Sequence, residues 1–348
     1  MGSDGSPGGA IPAMAESEAE VSSEELVSQQ QRGMLGRLLP WGVSLAVVSW
    51  LLWPYRDAAN RALLFEAFGR ASGWTVPVVM LFAAAIWLSD SYATARTFQR
   101  WGTPLGLRET ALIRGATLLF DAVNPALGQL VLTIVVHRRG TPLRKAIAIV
   151  LLMNVIFMVQ IALIAGAGLF ASTGPDNGVV PVLVGLSVLW VAVYGLLLVL
   201  RPAALQRFST LSWLMDAGPS GHAWAFAYRL PNMAILIASQ IALLWCFGIV
   251  LPLGVALLYL PVVMFVVGMP ISVQGLGPAQ MASVAFFSAY VAGSRAEAEA
   301  TVLACGFAGT ALFTLCAMLI GLGCFATRTG RESLSVVRRP AAAPTSES

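Results

Sequence analysis

The sequence is poor in charge. Only 11% of its 348 residues are Asp, Glu, Lys or Arg, and Lys145 is the only lysine among its 21 basic residues. A soluble domain carries roughly 25% charged residues, so the composition excludes an ordinary soluble fold. Together with 57% hydrophobic residues and a mean hydropathy of +0.78, it predicts a polytopic membrane protein.

Cysteine and histidine are also scarce. The four cysteines lie inside apolar runs without metal-ligand spacing, and His137 and His222 lie in predicted loops or at helix ends. We therefore interpret the cysteines as packing residues and predict no metal and no cofactor. The sequence shows no nucleophilic or acid–base constellation, which argues against an enzyme. The net charge of +4 indicates membrane orientation and not nucleic-acid binding.

Long apolar runs predict the fold class, an all-α polytopic membrane protein. A bilayer crossing takes about 20 apolar residues. Six runs qualify as full transmembrane helices, at about 35–53, 74–92, 146–171, 179–200, 232–253 and 299–326. The other apolar segments, about 111–137 and 256–293, are broken in the middle. The predicted domains are an acidic disordered tail (1–33), a transmembrane domain (34–327) and a disordered C-terminal tail (328–348).

The two broken segments are interrupted by residues that disfavour a helix. The stretch 268–280 holds three glycines and two prolines, and Asn124-Pro125 interrupts the shorter stretch 120–129. Broken backbone at membrane depth survives only where it is buried in protein or lines a polar cavity. We predict two re-entrant hairpins, whose return helices begin at Pro125 and Pro278. Their N-terminal ends could bind an anion such as phosphate; alternatively, the turns serve folding alone.

The distribution of arginine predicts the orientation. If both hairpins return to the face they entered, 17 of the 21 basic residues fall on the side that holds both termini. Positively charged loops are cytoplasmic, so we predict a multi-pass plasma (inner) membrane protein with both termini in the cytoplasm. The units 74–171 and 232–326 then have inverted layouts, as in many transporters. Residues 201–231 are predicted to link them as an interfacial amphipathic segment.

Polar residues near the breaks are the candidate site. Asp121 is the acidic residue most clearly placed at membrane depth, with Arg114 as its predicted partner, whereas Asp90 is interpreted as interfacial. Asp121 could couple protons, contact a head-group amine, or make only a structural hydrogen bond. The amides could line a head-group cavity or simply join helices. The candidate substrate-binding residues are Arg114, Asp121, Asn124, Pro125, Gly128, Gln129, Asn154, Ser272, Gln274, Gly275, Gly277 and Gln280.

Both breaks also carry a family resemblance. Pro270-Ile271-Ser272 followed by Gly275-Leu276-Gly277 resembles the P-x-S-x-G-G-L-G-x-R-E signature of the lysylphosphatidylglycerol synthase/flippase transmembrane family. The stretch 124–129 with the basic loop 137–145 resembles that family's N-x-L-P-x-x-x-G-[DE]-x-x-R region. The resemblance implies a flippase-like, stand-alone member without the aminoacyl-transferase domain. Its partners would be membrane lipids: an anionic or aminoacylated phospholipid, or a lipid-linked glycan precursor.

The charged positions of those motifs differ in this chain. Gln129, Leu132, Asn154, Ala279 and Gln280 stand where the family tends to carry charged residues. We predict a phospholipid or lipid-linked amphiphile translocase that binds an anionic head group between the two hairpins. The lost charges favour the alternative, a non-transporting partner or scaffold subunit for a membrane-bound glycosyl- or acyl-transferase. The sequence predicts no oligomeric state.

Overall fold

A computed structural model of the chain describes residues 41–103, 105–122, 124–172, 178–202, 209–269, 272, 275–327 and 331. These residues form helices joined by short turns and contain no strand. The predicted all-α class is therefore confirmed. The predicted tail 1–33 lies outside the described residues, and so does 328–348 apart from Arg331.

The described helices follow one another with short connections. In chain order they are α1 (41–52), α2 (Ala58–Gly69), α3 (Thr75–Arg100), α4 (Leu107–Asp121), α5 (Pro125–Arg138), α6 (Leu143–Ala171), α7 (Val179–Leu200), α8 (Ser209–Asp216), α9 (Gly218–Cys246), α10 (Leu253–Gly268), α11 (Pro278–Phe287) and α12 (Arg295–Ala326). Two short 3-10 turns, Trp53–Arg56 and Ser288–Tyr290, follow α1 and α11.

Five of the described helices, α3, α6, α7, α9 and α12, are long and apolar enough to cross a membrane. Helix α7 is the least buried of them, and large side chains such as Leu183, Leu186 and Leu196 are exposed along it. An exposed apolar helix is stable where lipid is the solvent. These helices indicate a multi-pass membrane protein.

The sixth predicted crossing, at 35–53, is only partly described. Residues 41–52 are helical, and residues 35–40 lie outside the described ranges. Helix α1 packs against the second break, since a β-carbon on Gly277 would lie 2.7 Å from Val47 Cβ. A full crossing by α1 therefore stays a prediction.

The second half of the segment 201–231 does not belong to the separate interfacial link that the sequence predicts. It is the start of α9, which runs unbroken from Gly218 past Pro231 to Cys246. Proline in a membrane helix is tolerated because the freed backbone groups find other partners. The helix ends well before residue 253, because Gly248 has a positive φ of 72° and donates its N–H to the Trp245 carbonyl. A left-handed glycine of this kind closes a helix C-terminus.

Three helix pairs make the most extensive contacts in the described part of the chain. Helix α6 packs along α10, α9 along α3, and α12 along α4. Helix α6 is the most buried of the five candidate spans. The pairs α3–α9 and α4–α12 enclose the polar interior described below.

Both breaks have the predicted proline starts. Helix α5 begins at Pro125, and the Asn124 side chain accepts a hydrogen bond of 2.8 Å from the Ala126 N–H. Helix α11 begins at Pro278 after Gly277, whose positive φ of 93° a side chain would disfavour. The Gly277 N–H donates to Gln280 Oε1 at 2.7 Å. The proline and its cap thus fix where each return helix starts.

The Asn124 cap gives a testable prediction. We expect Asn124→Ala to lower the free energy of unfolding by about 1 kcal/mol, because the Ala126 N–H loses its acceptor. Thermal unfolding of the purified protein in detergent measures the loss. Asn124→Ser, which keeps a capping oxygen, serves as the control and should retain most of the stability. An alanine variant as stable as the wild type would contradict the cap.

Candidate functional site

A cavity of about 450 Å³ lies in the interior, between helices α3, α4, α9 and α12. Both breaks contribute to its wall: Asp121 and Ala122 at the end of α4, and Ala279 and Gln280 at the start of α11. Phe157 of α6 and two valines of α10 complete it. The cavity is therefore where the two broken segments share a surface.

Four charged side chains face this cavity. Arg114 Nε donates to Asp90 Oδ2 at 2.7 Å, and Arg229 Nη2 lies 3.4 Å from Asp90 Oδ1. Arg114 Nη2 also lies 3.8 Å from Asp121 Oδ2. The four side chains are between 9% and 18% exposed. We call these four residues the charge cluster.

The charge cluster is costly to bury. Moving each charge out of water costs several kcal/mol even after relaxation, and only close ion pairs and hydrogen bonds offset this cost. Arg114 is the best-satisfied member, because its Nη1 also donates to Thr117 Oγ1 at 3.2 Å. Charged groups among apolar helices are rare and mark substrate or ion pathways.

Arg229 is the least satisfied member of the charge cluster. Its Nε is buried and has no hydrogen-bond partner among the described residues. Its guanidinium carbon lies 6.0 Å from the centroid of the Phe157 ring, and Phe157 also lines the cavity. A buried N–H without an acceptor costs roughly 1–3 kcal/mol, so a ligand oxygen that accepts from it would be favoured.

Amide side chains complete the polar lining. Asn232 donates to the Ile86 carbonyl at 3.3 Å and to Ser89 Oγ at 3.0 Å, which ties α9 to α3 beside Asp90. Gln280 accepts from the Gly277 N–H and donates to Thr310 Oγ1 at 3.3 Å. These bonds hold the cavity wall in one arrangement.

One N–H group at the start of each return helix already has a side-chain acceptor. Asn124 already occupies the Ala126 N–H of α5, and Gln280 occupies the Gly277 N–H before α11. An anion at either end would compete with these caps. The guanidinium groups of Arg114 and Arg229 bring two further positive charges to the cavity wall.

The structure brings three of the predicted site residues, Arg114, Asp121 and Gln280, onto the cavity wall. Gly128 faces the Asp121 carboxylate, with no room for a β-carbon. Gln129 Oε1 and Ser272 Oγ are buried without a hydrogen-bond partner among the described residues. Pro125 begins α5. The other predicted residues of the breaks do not line the cavity, namely Asn124, Gln129, Ser272, Gly275 and Gly277.

Two predicted residues do not join this group. Asn154 is exposed on α6 and does not line the cavity, because it lies on the opposite side of the helix from Leu152 and Ile156, which are buried. Gln274 lies outside the described residues.

Two members of the charge cluster, Asp90 and Arg229, lie where the sequence does not predict them. The sequence predicts Asp90 at the membrane interface, but α3 continues to Arg100 and Asp90 is buried mid-helix between two arginines. The sequence predicts Arg229 in the link before α9, but it lies inside that helix, two residues before Pro231. One sequence feature does indicate a polar helix face at this place. Arg229 and Asn232 are three residues apart, so both lie on the same face of a helix.

Comparison of the chain with protein-family models, curated proteins and solved structures finds no match, so the resemblance to the lysylphosphatidylglycerol synthase/flippase family stays a prediction from its two motifs.

Proposed function

We propose that this chain is a translocase for a phospholipid or lipid-linked amphiphile with an anionic head group. The head group would bind in the cavity beside Arg114 and Arg229, while the acyl chains stay in the surrounding lipid. The observation that carries the proposal is Arg229, which lines the cavity and whose buried Nε has no acceptor among the described residues. Guanidinium groups suit phosphate oxygens because their N–H donors match the geometry of the anion.

The lengths of the broken helices support a re-entrant layout. Helices α4, α5, α10 and α11 have 15, 14, 16 and 10 residues. Each is shorter than the roughly 20 residues of a crossing. In the proposed layout the pairs α4–α5 and α10–α11 each enter and leave on one face, from opposite sides of the membrane.

The same layout supports a plasma-membrane protein with cytoplasmic termini. Arg114 and Arg229 are buried at the cavity and do not count as loop charges. Without them, fifteen basic residues lie on the side of the termini and four, at positions 56, 61, 70 and 295, on the other. The excess agrees with a cytoplasmic face.

The ion pairs themselves favour a second candidate function. Two arginines and two aspartates can neutralise one another, so the charge cluster could join helices without any ligand. The chain would then be a scaffold subunit for a membrane-bound transferase. That candidate predicts co-purification with a transferase and no lipid movement by the purified protein.

The two candidates differ in a vesicle assay. We expect purified protein in vesicles to accelerate the exchange of fluorescent phosphatidylglycerol between leaflets, measured by chemical quenching of the outer leaflet. Arg229→Gln should slow the accelerated exchange by roughly tenfold to a hundredfold, the equivalent of one charged hydrogen bond of about 1.5–3 kcal/mol.

Arg61→Gln is the matched control, because Arg61 is an exposed arginine on α2, away from the cavity. It should exchange lipid at the wild-type rate. Exchange by the wild-type protein no faster than in protein-free vesicles would refute the translocase. Equal slowing by both variants would show that Arg229 has no special part in it.

A further inference from the structure

The two carboxylates of the charge cluster compete for one arginine. Arg114 Nε lies 2.7 Å from Asp90, while its Nη2 lies 3.8 Å from Asp121. Asp90 has a second cation, Arg229, at 3.4 Å. Among these three contacts, the one between Arg114 and Asp121 is the longest, and Coulomb attraction falls with distance.

Charged and titratable groups face Asp121 from several helices. Helix α3 contributes Asp90, α4 contributes Arg114, and α9 contributes Arg229 on the same cavity. Helix α5 brings Gly128 against the carboxylate, with the amide of Gln129 beside it in sequence. From α12 the thiol of Cys324 packs on α4, but against Gly115, one turn or more from Asp121.

The charge balance of the cluster changes when an anion enters. Two guanidinium groups and two carboxylates sum to zero when all four are ionised. A phosphodiester head group brings one further negative charge into a cavity whose walls are mostly apolar. A net buried charge is expensive. Uptake of one proton by a carboxylate restores neutrality. Protonation of Asp121 gives up less ion-pair attraction than protonation of Asp90, because the contact of Asp121 with Arg114 is longer.

We propose that Asp121 is a proton-binding site that is filled when the anionic head group binds, so that one proton and one lipid move together. This inference rests on the proposed translocase function. The O–H bond forms on an Asp121 carboxylate oxygen from a proton of the water on one side of the membrane. It breaks on the other side, where the head group leaves. The moving complex carries no net charge, so the step is electroneutral.

The test uses the purified protein in vesicles of phosphatidylethanolamine and phosphatidylglycerol, with fluorescent phosphatidylglycerol as the probe and a trapped pH dye. One proton per lipid lets a gradient of one pH unit sustain at most about a tenfold leaflet asymmetry of the probe, since one unit is a factor of ten in proton activity. We expect an asymmetry of that order, and its direction should reverse with the gradient. A potential imposed with potassium and valinomycin should not change it.

Asp121→Asn, which has no titratable group, should reduce the asymmetry from about tenfold to none and stop the lipid-linked signal of the pH dye. Asp121→Glu, which keeps a carboxylate, should show both the leaflet asymmetry and the signal of the pH dye. The control is Glu109→Gln on the same helix. The Glu109 carboxylate pairs with Arg139 and lies outside the cavity. It should keep the full asymmetry.

The outcomes separate this inference from the proposed function. If the wild-type protein exchanges lipid but builds no asymmetry under a pH gradient, the proton site is refuted and the translocase stands. If it exchanges no lipid at any gradient, both fail together. If Asp121→Asn exchanges lipid and still builds the full asymmetry, the proton is carried elsewhere and the assignment to Asp121 is wrong.

Discussion

Replacing Arg114 with methionine is expected to destabilise the folded protein by about 3–5 kcal/mol, the usual loss when one partner of a buried ion pair is removed. Asp90 would keep only Arg229 at 3.4 Å, and Asp121 would lose the guanidinium group that lies 3.8 Å away. The apolar part of the arginine side chain is replaced, so lost packing contributes little. Thermal unfolding in detergent measures the loss, and the vesicle assay should show no accelerated lipid exchange.

Two further variants make this prediction specific to the charge cluster. Arg108→Met changes an exposed arginine on the same helix and should unfold at the wild-type temperature. The double variant Arg114→Met with Asp121→Asn removes one charge of each sign and keeps the pair of Asp90 and Arg229. It should regain most of the stability, because neither remaining charge is buried without a partner.

Lipid exchange is expected to stay lost in the double variant, since the cavity then holds one arginine where the proposed site needs two. A single variant as stable as the wild type would mean that Arg114 is not held by its ion pairs. A double variant less stable than Arg114→Met would contradict the charge argument.

The sequence predicts the fold class and the starts of the two return helices well, because these depend on local chemistry. A run of apolar residues such as 179–200 is helical in lipid whatever surrounds it, because every backbone polar group must be bonded within the segment. Asn124-Pro125 and Gly277-Pro278 act through their own backbone geometry, so their place at the start of a helix needs no knowledge of the rest of the fold.

The charge cluster depends on contacts between distant segments, which the sequence alone does not give. Asp90 and Arg229 are 139 residues apart, and nothing local to Asp90 distinguishes a buried ion pair from an interfacial charge. The position of Arg229 rests on whether Pro231 breaks the helix, and tertiary packing decides that. Asn154 is the opposite case: an amide in an apolar helix predicts a place in the interior, but Asn154 is exposed.

Gly168→Ala is expected to lower the free energy of unfolding by roughly 1–3 kcal/mol, as overpacking of a close interface does. A β-carbon on Gly168 of α6 would collide with the backbone of Leu257 and Leu258 on α10. Gly254 of α10 makes the reciprocal approach, to the backbone of Ala171 and Ser172. Small residues of this kind let membrane helices pack backbone against backbone. The colliding atoms are backbone, so no side-chain rotation relieves the overlap and the two helices must separate.

The same substitution on α7 should have the opposite effect. Gly185 is exposed, and a β-carbon added to it would meet no atom within 4 Å, so alanine there only improves helix propensity. A gain of about 0.5–1 kcal/mol is expected. Thermal unfolding in detergent gives both signs in one experiment. Because α10 leads directly into the second break, separation from α6 should also slow lipid exchange in Gly168→Ala and leave it unchanged in Gly185→Ala. Stabilisation by both alanines would mean that α6 and α10 do not meet at their glycines, and the wall of the cavity formed by Phe157 and α10 would have to be placed differently.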